Sequence, residues 1–499
     1  MTVVVVLLGL FLSAINGYYY FCGFQARGYK IKESLSGVTK LMIIDSIAIV
    51  CTVIISLAFE LSGYEKSDFL CLISLIPSFA AGLTKIIKYI GLRAIFTKRM
   101  IRLFSVYAVI CVVLTLVACF VERFLRVFGI VVGLNGLLSF GVLSLTKPFE
   151  DKRNRKFLQN AKNKLASKSV TVIGITGSAG KTSVKEILKT LLSPLGKVYA
   201  TPKSYNTPLG IAKAVQEMPE DAEVFIVEYG ARNKGDIDEL LGIVKPNIGI
   251  LTAIAPQHLE TFGNIESIFN EKIKLLKAAE RSFAAEKCKW AGDDFPVDTI
   301  FYGESCYTNK IFSTENSFLS IIVNGQKLAF TTALLGSVNA DNLVLSIGVA
   351  LSLGVTPSQI AEILPTIKPV PHRMERLVSD KGVTIIDDSF NINPSGASSA
   401  LDVLKTAKGR KIVTCSGFVE QGDNDDEANE TLTSKIVEVA DIFIILGNKN
   451  KKKLIEKVKD KIEYYFVKDV DECIKLYSQI LKKDDTLLIL ADIPISYEL

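Results

Sequence analysis

The 499-residue chain has only two histidines, and its nine cysteines form no Cys-x-x-Cys pair. That scarcity argues against a disulfide framework and a zinc site of the usual spacing, and it suits a reducing compartment. Five of the cysteines (Cys22, Cys51, Cys71, Cys111 and Cys119) lie in apolar segments, where cysteine acts as a small hydrophobe. Charge excess is also small. The net charge is +6 and basic residues do not interleave with aromatics, so no nucleic-acid partner is read. The chain lacks internal repeats, low-complexity tracts and a strict eight-residue P-loop pattern, because Ile175 stands where that pattern has its first glycine.

Hydrophobic residues make up 49% of the chain, at a mean hydropathy of +0.33, and the excess is concentrated before residue 147. Five stretches there predict membrane spans: Thr2–Cys22, Val38–Leu61, Phe69–Ile87, Ile101–Val121 and Val127–Thr146. Each is near the roughly 20 residues that cross a bilayer core. The first has no basic leader and four more follow, which argues against a cleaved signal. Basic residues follow the first span (Arg27, Lys30, Lys32, Lys40), the third (Lys88, Arg93, Lys98, Arg99, Arg102) and the fifth (Lys147, Lys152, Arg153, Arg155, Lys156). The loop after the second is acidic (Glu60, Glu65, Asp68), while Arg123 and Arg126 fall on the next outer loop. The positive-inside rule then puts the start of the chain outside and everything after Thr146 in the cytoplasm. Glu150–Lys168 reads as a basic helical linker, either solvated or lying near anionic headgroups.

From Val170 the pattern becomes alternating strand and helix, which predicts parallel sheets covered on both faces. Strands are expected at Val170–Thr176, Lys197–Thr201, Val224–Tyr229 and Ile248–Ala253, with helices at Lys181–Leu192, Leu209–Gln216, Ile237–Gly242 and Ile265–Ala279. Short strand-like pieces fill Phe283–Gln326, and a long apolar helix covers Asn339–Leu353, stopped by Gly354. A second α/β unit begins near Val378, with strands at Val383–Asp387, Lys411–Ser416, Ile442–Leu446, Glu463–Val467 and Thr486–Leu490. No dinucleotide glycine fingerprint follows its first strand.

The chemistry centres on VTVIGITGSAGKTSVKEIL, residues 170–188. An apolar run breaks at Gly177-Ser178-Ala179-Gly180 and resumes with helical spacing at Lys181. A strand, a glycine turn and a helix start aim backbone N–H groups and the helix dipole at phosphate. Lys181 supplies a point charge for the β/γ-phosphates and Thr182 a hydroxyl for Mg²⁺. A bare glycine turn is the alternative. Glu228 closes the strand VFIVE and could hold a metal or be a plain surface carboxylate. His258 follows the fourth strand and could serve the site or the core. Lys272, in FNEKIKLL, reads by composition as part of a solvated helix face.

These pieces carry a resemblance. TGSAGKTSVKEIL, YNTPLGIA, VEYGARNKGDI, HLETFGNIESIFNEK, GSVNADN, PHRMER and DDSFNINP occur in the order and rough spacing of the Mur ligase family, over about residues 165–490. The likeness is greatest to the member that joins D-alanyl-D-alanine to a UDP-N-acetylmuramoyl-tripeptide. It implies an ATP-dependent amide ligase of peptidoglycan-precursor synthesis that works through an acyl phosphate. The implied layout is α/β: a membrane region at 1–146, a linker at 147–168, a central P-loop parallel-sheet ATPase domain at 169–376 and a C-terminal Rossmann-like domain at 377–499. By resemblance, Gly177, Ser178, Gly180, Lys181, Thr182 and Ser183 hold the triphosphate. Glu228 and His258 resemble ligands of metal ions bridging the phosphate, alongside Thr182. Lys272 matches a lysine that family members can carry as a carbamate, itself a metal ligand. Asn339 and Asn342 resemble residues near adenine, Arg373 the arginine that approaches the γ-phosphate, and Asp388 a ribose contact.

Three features depart from the family's pattern. Apolar spans stand where the family has a UDP-gripping domain. Val338 replaces a histidine before the asparagine of GSVN, and LLILADIPISYEL stands where a Lys-Gly-Ser-Arg-like stretch is usual. A ligase acting on a lipid-linked polymer intermediate, and a nucleotide-binding scaffold with little turnover, remain as alternatives.

Overall fold

The computed structural model describes residues 2–61, 67–88, 95–119, 132–203, 205–390, 392–418, 425–448 and 450–490. It divides into two compact units, Met1–Lys156 and Phe157–Leu499. The sequence-based assignments to Glu65, Arg93, Arg123, Arg126, residues 127–131 and residues 491–499 lie outside the described residues.

The first unit is helical: Thr2–Ala26, Ile31–Leu61, Ser67–Lys88, Lys98–Cys119 and the start of Asn135–Ala166. Three helical stretches, Val4–Ala26, Val38–Ile55 and Lys98–Val117, are long and apolar enough to cross a membrane, and Leu75–Ile87 is a shorter apolar helix. Five spans were expected. The third expected span is short by this measure and has Pro77 inside its helix, while the last described helix turns polar at Lys147 and stays helical to Ala166. The linker expectation of a basic helix thus agrees with the helix seen over residues 150–166. Inside the unit, Tyr20, Phe21, Phe24 and Tyr107 pack as an aromatic core. Outward-facing Leu7, Phe11, Ile43, Ile47, Ile54, Val109 and Val113 are exposed.

The second unit holds three sheets. Strands β1 (Thr171–Thr176), β2 (Val198–Ala200), β3 (Val224–Glu228), β4 (Ile248–Leu251), β5 (Arg281–Ala285) and β6 (Ile300–Tyr302) form a parallel sheet in the order β2-β3-β1-β4-β5-β6. Its central strands are near-continuous apolar runs because helices cover both faces. Ile175 is fully buried in β1, and its carbonyl accepts from Tyr229 N–H at 2.8 Å. The position at which the strict pattern has its first glycine is thus still strand, and the glycine turn starts at Gly177.

The strand-like pieces of Phe283–Gln326 resolve into β5, β6 and a separate antiparallel sheet of β7 (Tyr307–Phe312), β8 (Ser317–Val323) and β9 (Gln326–Thr332). Asn324 and Gly325, both at positive φ, close the tight β8–β9 hairpin. The apolar helix runs Gly336–Ser352, and Gly354 ends it at φ 98°.

The third sheet has the order β10-β11-β15-β12-β13-β14, with β10 (Glu375–Val378), β11 (Thr384–Asp387), β12 (Lys411–Cys415), β13 (Ile442–Leu446), β14 (Glu463–Val467) and β15 (Thr486–Leu490). Strand β10 was not anticipated. It is an exposed, charged edge strand that pairs antiparallel to β11, so it shows no buried apolar run. It also starts the C-terminal sheet two residues ahead of the expected boundary at 377.

Candidate active site

Strand order reverses about β1, whose neighbours β3 and β4 lead to opposite halves of the sheet. The crevice beyond the carboxyl ends of such strands is where parallel α/β sheets hold ligands. Three segments meet there: the turn after β1, the end of β3 and the loop after β4.

The turn is built by close approach. At Gly177 (φ 152°) an added Cβ would lie 2.1 Å from Thr252 Oγ1, and at Gly180 (φ 84°) it would lie 2.7 Å from Asn342 Oδ1. Only glycine fits either place. Ser178 ties the turn to the β4 loop: its amide donates to Ala253 O at 2.8 Å, and its hydroxyl bonds Ala255 O at 3.1 Å. Gly180 then precedes the helix Lys181–Leu191, whose first three residues are Lys181, Thr182 and Ser183. The free N–H groups of that first turn face an anion site by construction.

Lys181 Nζ donates to the Gly177 carbonyl, so its head lies across the mouth of the turn. Desolvation lowers its pKa to about 8, with Arg373 acting in the same direction and Glu228 opposing. Thr182 Oγ1 donates to Glu228 Oε2 at 3.3 Å. Glu228 is 1% exposed and is therefore not the surface carboxylate that one reading allowed. Its other oxygen lies 2.9 Å from Lys185 Nζ, an ion pair without hydrogen-bond alignment. Lys185, fully buried, also donates to the carbonyls of Thr201 (2.8 Å) and Lys203 (2.6 Å).

Lys272 is 3% exposed on the helix Ile265–Ala278, so the solvated-face reading of this residue is overturned. Burial lowers its pKa to about 7, with the Lys181 charge adding to the effect and Glu271 and Asp236 opposing it. Lys274, half-buried on the same helix, bonds Asp238 and Glu271. Arg373 stacks its guanidinium 4.3 Å from the Phe390 ring, and its buried Nε has no hydrogen-bond partner. Burial depresses its pKa, while Asp388 and Glu228 act to raise it. Burial raises Asp388 to about 6, with Arg373 pulling the other way. Mutual electrostatics thus join Lys181, Glu228, Lys272, Arg373 and Asp388 in one neighbourhood.

Asn342 joins it through Gly180. Asn339 is buried on the same helix and donates to Leu335 O at 3.1 Å, within its own first turn. His258 lies on the β4 loop in a left-handed conformation (φ 54°), heading the short helix Leu259–Phe262. Among the described residues, Lys185, His372 and Asp387 were missed. Lys185 falls four residues after Lys181, one helical turn along the same face, and that spacing was the available signal. His372 is the second of only two histidines and precedes Arg373; its Nδ1 lies 2.7 Å from Asp387 Oδ2.

The oxygen donors suit a hard cation beside phosphate: a threonine hydroxyl and a buried carboxylate with one oxygen outside hydrogen-bond alignment. The positive charges of Lys181 and Arg373 suit a polyanion.

Comparison with known proteins matches both halves of the α/β unit to one family. Residues 175–350 match the Mur ligase middle domain, and residues 372–492 match the Mur ligase glutamate ligase domain. A UDP-N-acetylmuramoyl-tripeptide--D-alanyl-D-alanine ligase of Bacillus subtilis is 26% identical over 276 residues, 53% of this chain and 60% of that protein. The same-named protein of Mycobacterium bovis is 30% identical over 253 residues, 48% of this chain and 50% of its own. The chain thus spans 50 to 60% of the length of these relatives. A MurF ligase from Thermotoga maritima, solved with ADP, superposes with a TM-score of 0.61 at 24% identity over 68% of this chain and 80% of that one, which establishes a shared fold. Two matched domains that together cover more than half the chain make it a member of the Mur ligase family.

Proposed function

We propose that this chain is a membrane-anchored, ATP-dependent amide ligase that adds D-alanyl-D-alanine to a UDP-N-acetylmuramoyl-tripeptide in the cytoplasm. The observation that carries the reading is the convergence of Lys181, Glu228 and Lys272 at the end of the central sheet with Arg373 from the edge of the next. Phosphoryl transfer to a carboxylate crowds anions together, and positioned cations are the main catalytic resource for it. Gly177–Ser183 would hold the triphosphate, Asn339 and Asn342 the adenine, and Asp388 the ribose. Thr182, Glu228, His258 and Lys272 in carbamate form would hold magnesium, which when bound neutralises phosphate charge. Lys181 and Arg373 would steady the γ-phosphoryl group as it passes to the acceptor carboxylate. The amine of the dipeptide would then attack the acyl phosphate and release phosphate.

A second reading, in which the acceptor is lipid-linked, is favoured by the three long apolar helices and their exposed apolar faces, which would hold enzyme and acceptor at one surface. Phosphate release by the detergent-solubilised chain, measured with D-alanyl-D-alanine and UDP-linked or lipid-linked acceptors side by side, tests both. The UDP-linked precursor should drive release, and Lys181→Ala should abolish it at unchanged thermal stability. Release that is acceptor-independent, or that survives Lys181→Ala, overturns the ligase reading.

A further inference from the structure

We propose that His372 and Asp387 form a latch that positions Arg373, an inference that rests on the ligase reading above. Arg373 sits between two residues in the left-handed region, His372 (φ 62°) and Met374 (φ 51°). Side chains with a Cβ adopt that conformation only where surrounding contacts hold them there. The contacts are local, and four of them lead to the end of β11. His372 Nδ1 bonds Asp387 Oδ2 at 2.7 Å, and Phe390 N donates to His372 O at 3.1 Å. Met374 N donates to Asp388 Oδ1 at 3.2 Å, and the Phe390 ring lies under the guanidinium. The short turn is thus pinned on both sides of the arginine to residues 387–390.

Among these hydrogen bonds the His372–Asp387 one is made by two side chains. Asp387 is 2% exposed, and its other oxygen accepts from Ser389 N at 3.0 Å, so the carboxylate is fixed before the histidine meets it. His372, Glu375 and Asp387 could also be read as a small metal cluster. Glu375, however, accepts from the His372 amide at 3.0 Å, and the imidazole is already paired. The cluster closes the turn on itself. With the latch open, the turn loses its side-chain tie to β11, and the guanidinium is held less firmly over the ring that orients it.

Two substitutions separate the latch from backbone strain. His372→Gly keeps the left-handed backbone but removes the bond; His372→Asn tolerates the same backbone and offers an amide donor near the Nδ1 position. In the full-length chain, His372→Gly should lower kcat about 10²-fold while the KM for ATP moves less than about threefold, and His372→Asn should recover most of the loss. A second readout needs no turnover. Tryptic cleavage after Arg373, followed by mass spectrometry, should be several-fold faster in His372→Gly and near wild type in His372→Asn. Arg373→Ala separates the two layers of the argument: if it leaves turnover intact, the ligase role of Arg373 fails. If Arg373→Ala abolishes turnover but His372→Gly keeps wild-type kcat and cleavage, only the latch is overturned. A His372→Gly variant that loses kcat, raises KM and melts early together would show a merely structural residue and also overturn it.

Discussion

Each unit of this protein buries a lysine against a carboxylate, and the two pairs are finished in different ways. In the helical unit Lys85 meets Asp45, and Asn16 Oδ1 accepts from the same ammonium at 2.8 Å. Tyr20 donates to the second Asp45 oxygen at 2.7 Å and sets its ring 4.8 Å from the lysine. That pair is closed, because side chains from three helices satisfy it. In the α/β unit Lys185 takes two backbone carbonyls and leaves Glu228 shared with Thr182, beside Lys181. That pair is open on one side. A closed buried pair defines which helices meet; an open one leaves a carboxylate aimed where a ligand will come.

The largest effect should come from replacing the open pair. Lys185→Met with Glu228→Leu preserves volume and removes both charges, so the chain should fold yet lose turnover beyond about 10³-fold. Retained turnover would mean that Glu228 is structural after all. The closed pair should behave the opposite way. Asp45→Ala strands the Lys85 charge and should cost about 3–5 kcal/mol, whereas Lys85→Met with Asp45→Leu should lie near wild type or above it. Thermal unfolding in detergent checks this, and phosphate release per folded molecule should not change in either variant. A specific loss of turnover in the double variant would erase the contrast between the pairs.

The smallest effect concerns Lys272. Its pKa in the folded state is about 7 against an ordinary 10.5, so between those values the unfolded chain binds more protons. Stability of the nucleotide- and metal-free protein should therefore rise with pH through this window, by at most about 1.4 kcal/mol per unit. Lys181, at about 8, contributes with the same sign only further up. Lys272→Met should flatten the rise between pH 7 and 8; an unchanged slope there would exclude Lys272 as its source. The neutral amine is also the form that takes up carbon dioxide, so added bicarbonate should stimulate wild-type turnover. Lys274→Ala, a half-buried ion-pair change, should shift neither property by more than about twofold or 1 kcal/mol.

The strand and helix assignments from Val170 onward were legible because buried parallel strands are long apolar runs and their helices have apolar stripes. Strand β10 was not, since an edge strand carrying Glu375 and Arg376 has no such run. Lys272 was misjudged from composition for a related reason. Its neighbours Lys274 and Lys277 do face solvent, and only the rotation of the helix decides which lysine turns inward. Apolar segments in the first unit were equally plain, but Pro77 and the polar turn at Lys147 set how long each apolar helix is.

By itself, the sequence determined the glycine turn, the helix that follows it and the apolar character of the first unit, since these depend on neighbours in the chain. Glycine at 177 and 180, the lysine and threonine after them, and runs of apolar residues act over a few positions. Tertiary structure alone decided that Glu228 pairs with Lys185, that Lys272 is buried and that His372 meets Asp387. Those outcomes turn on desolvation and on contact between segments 15 to 43 residues apart, which local pattern does not encode.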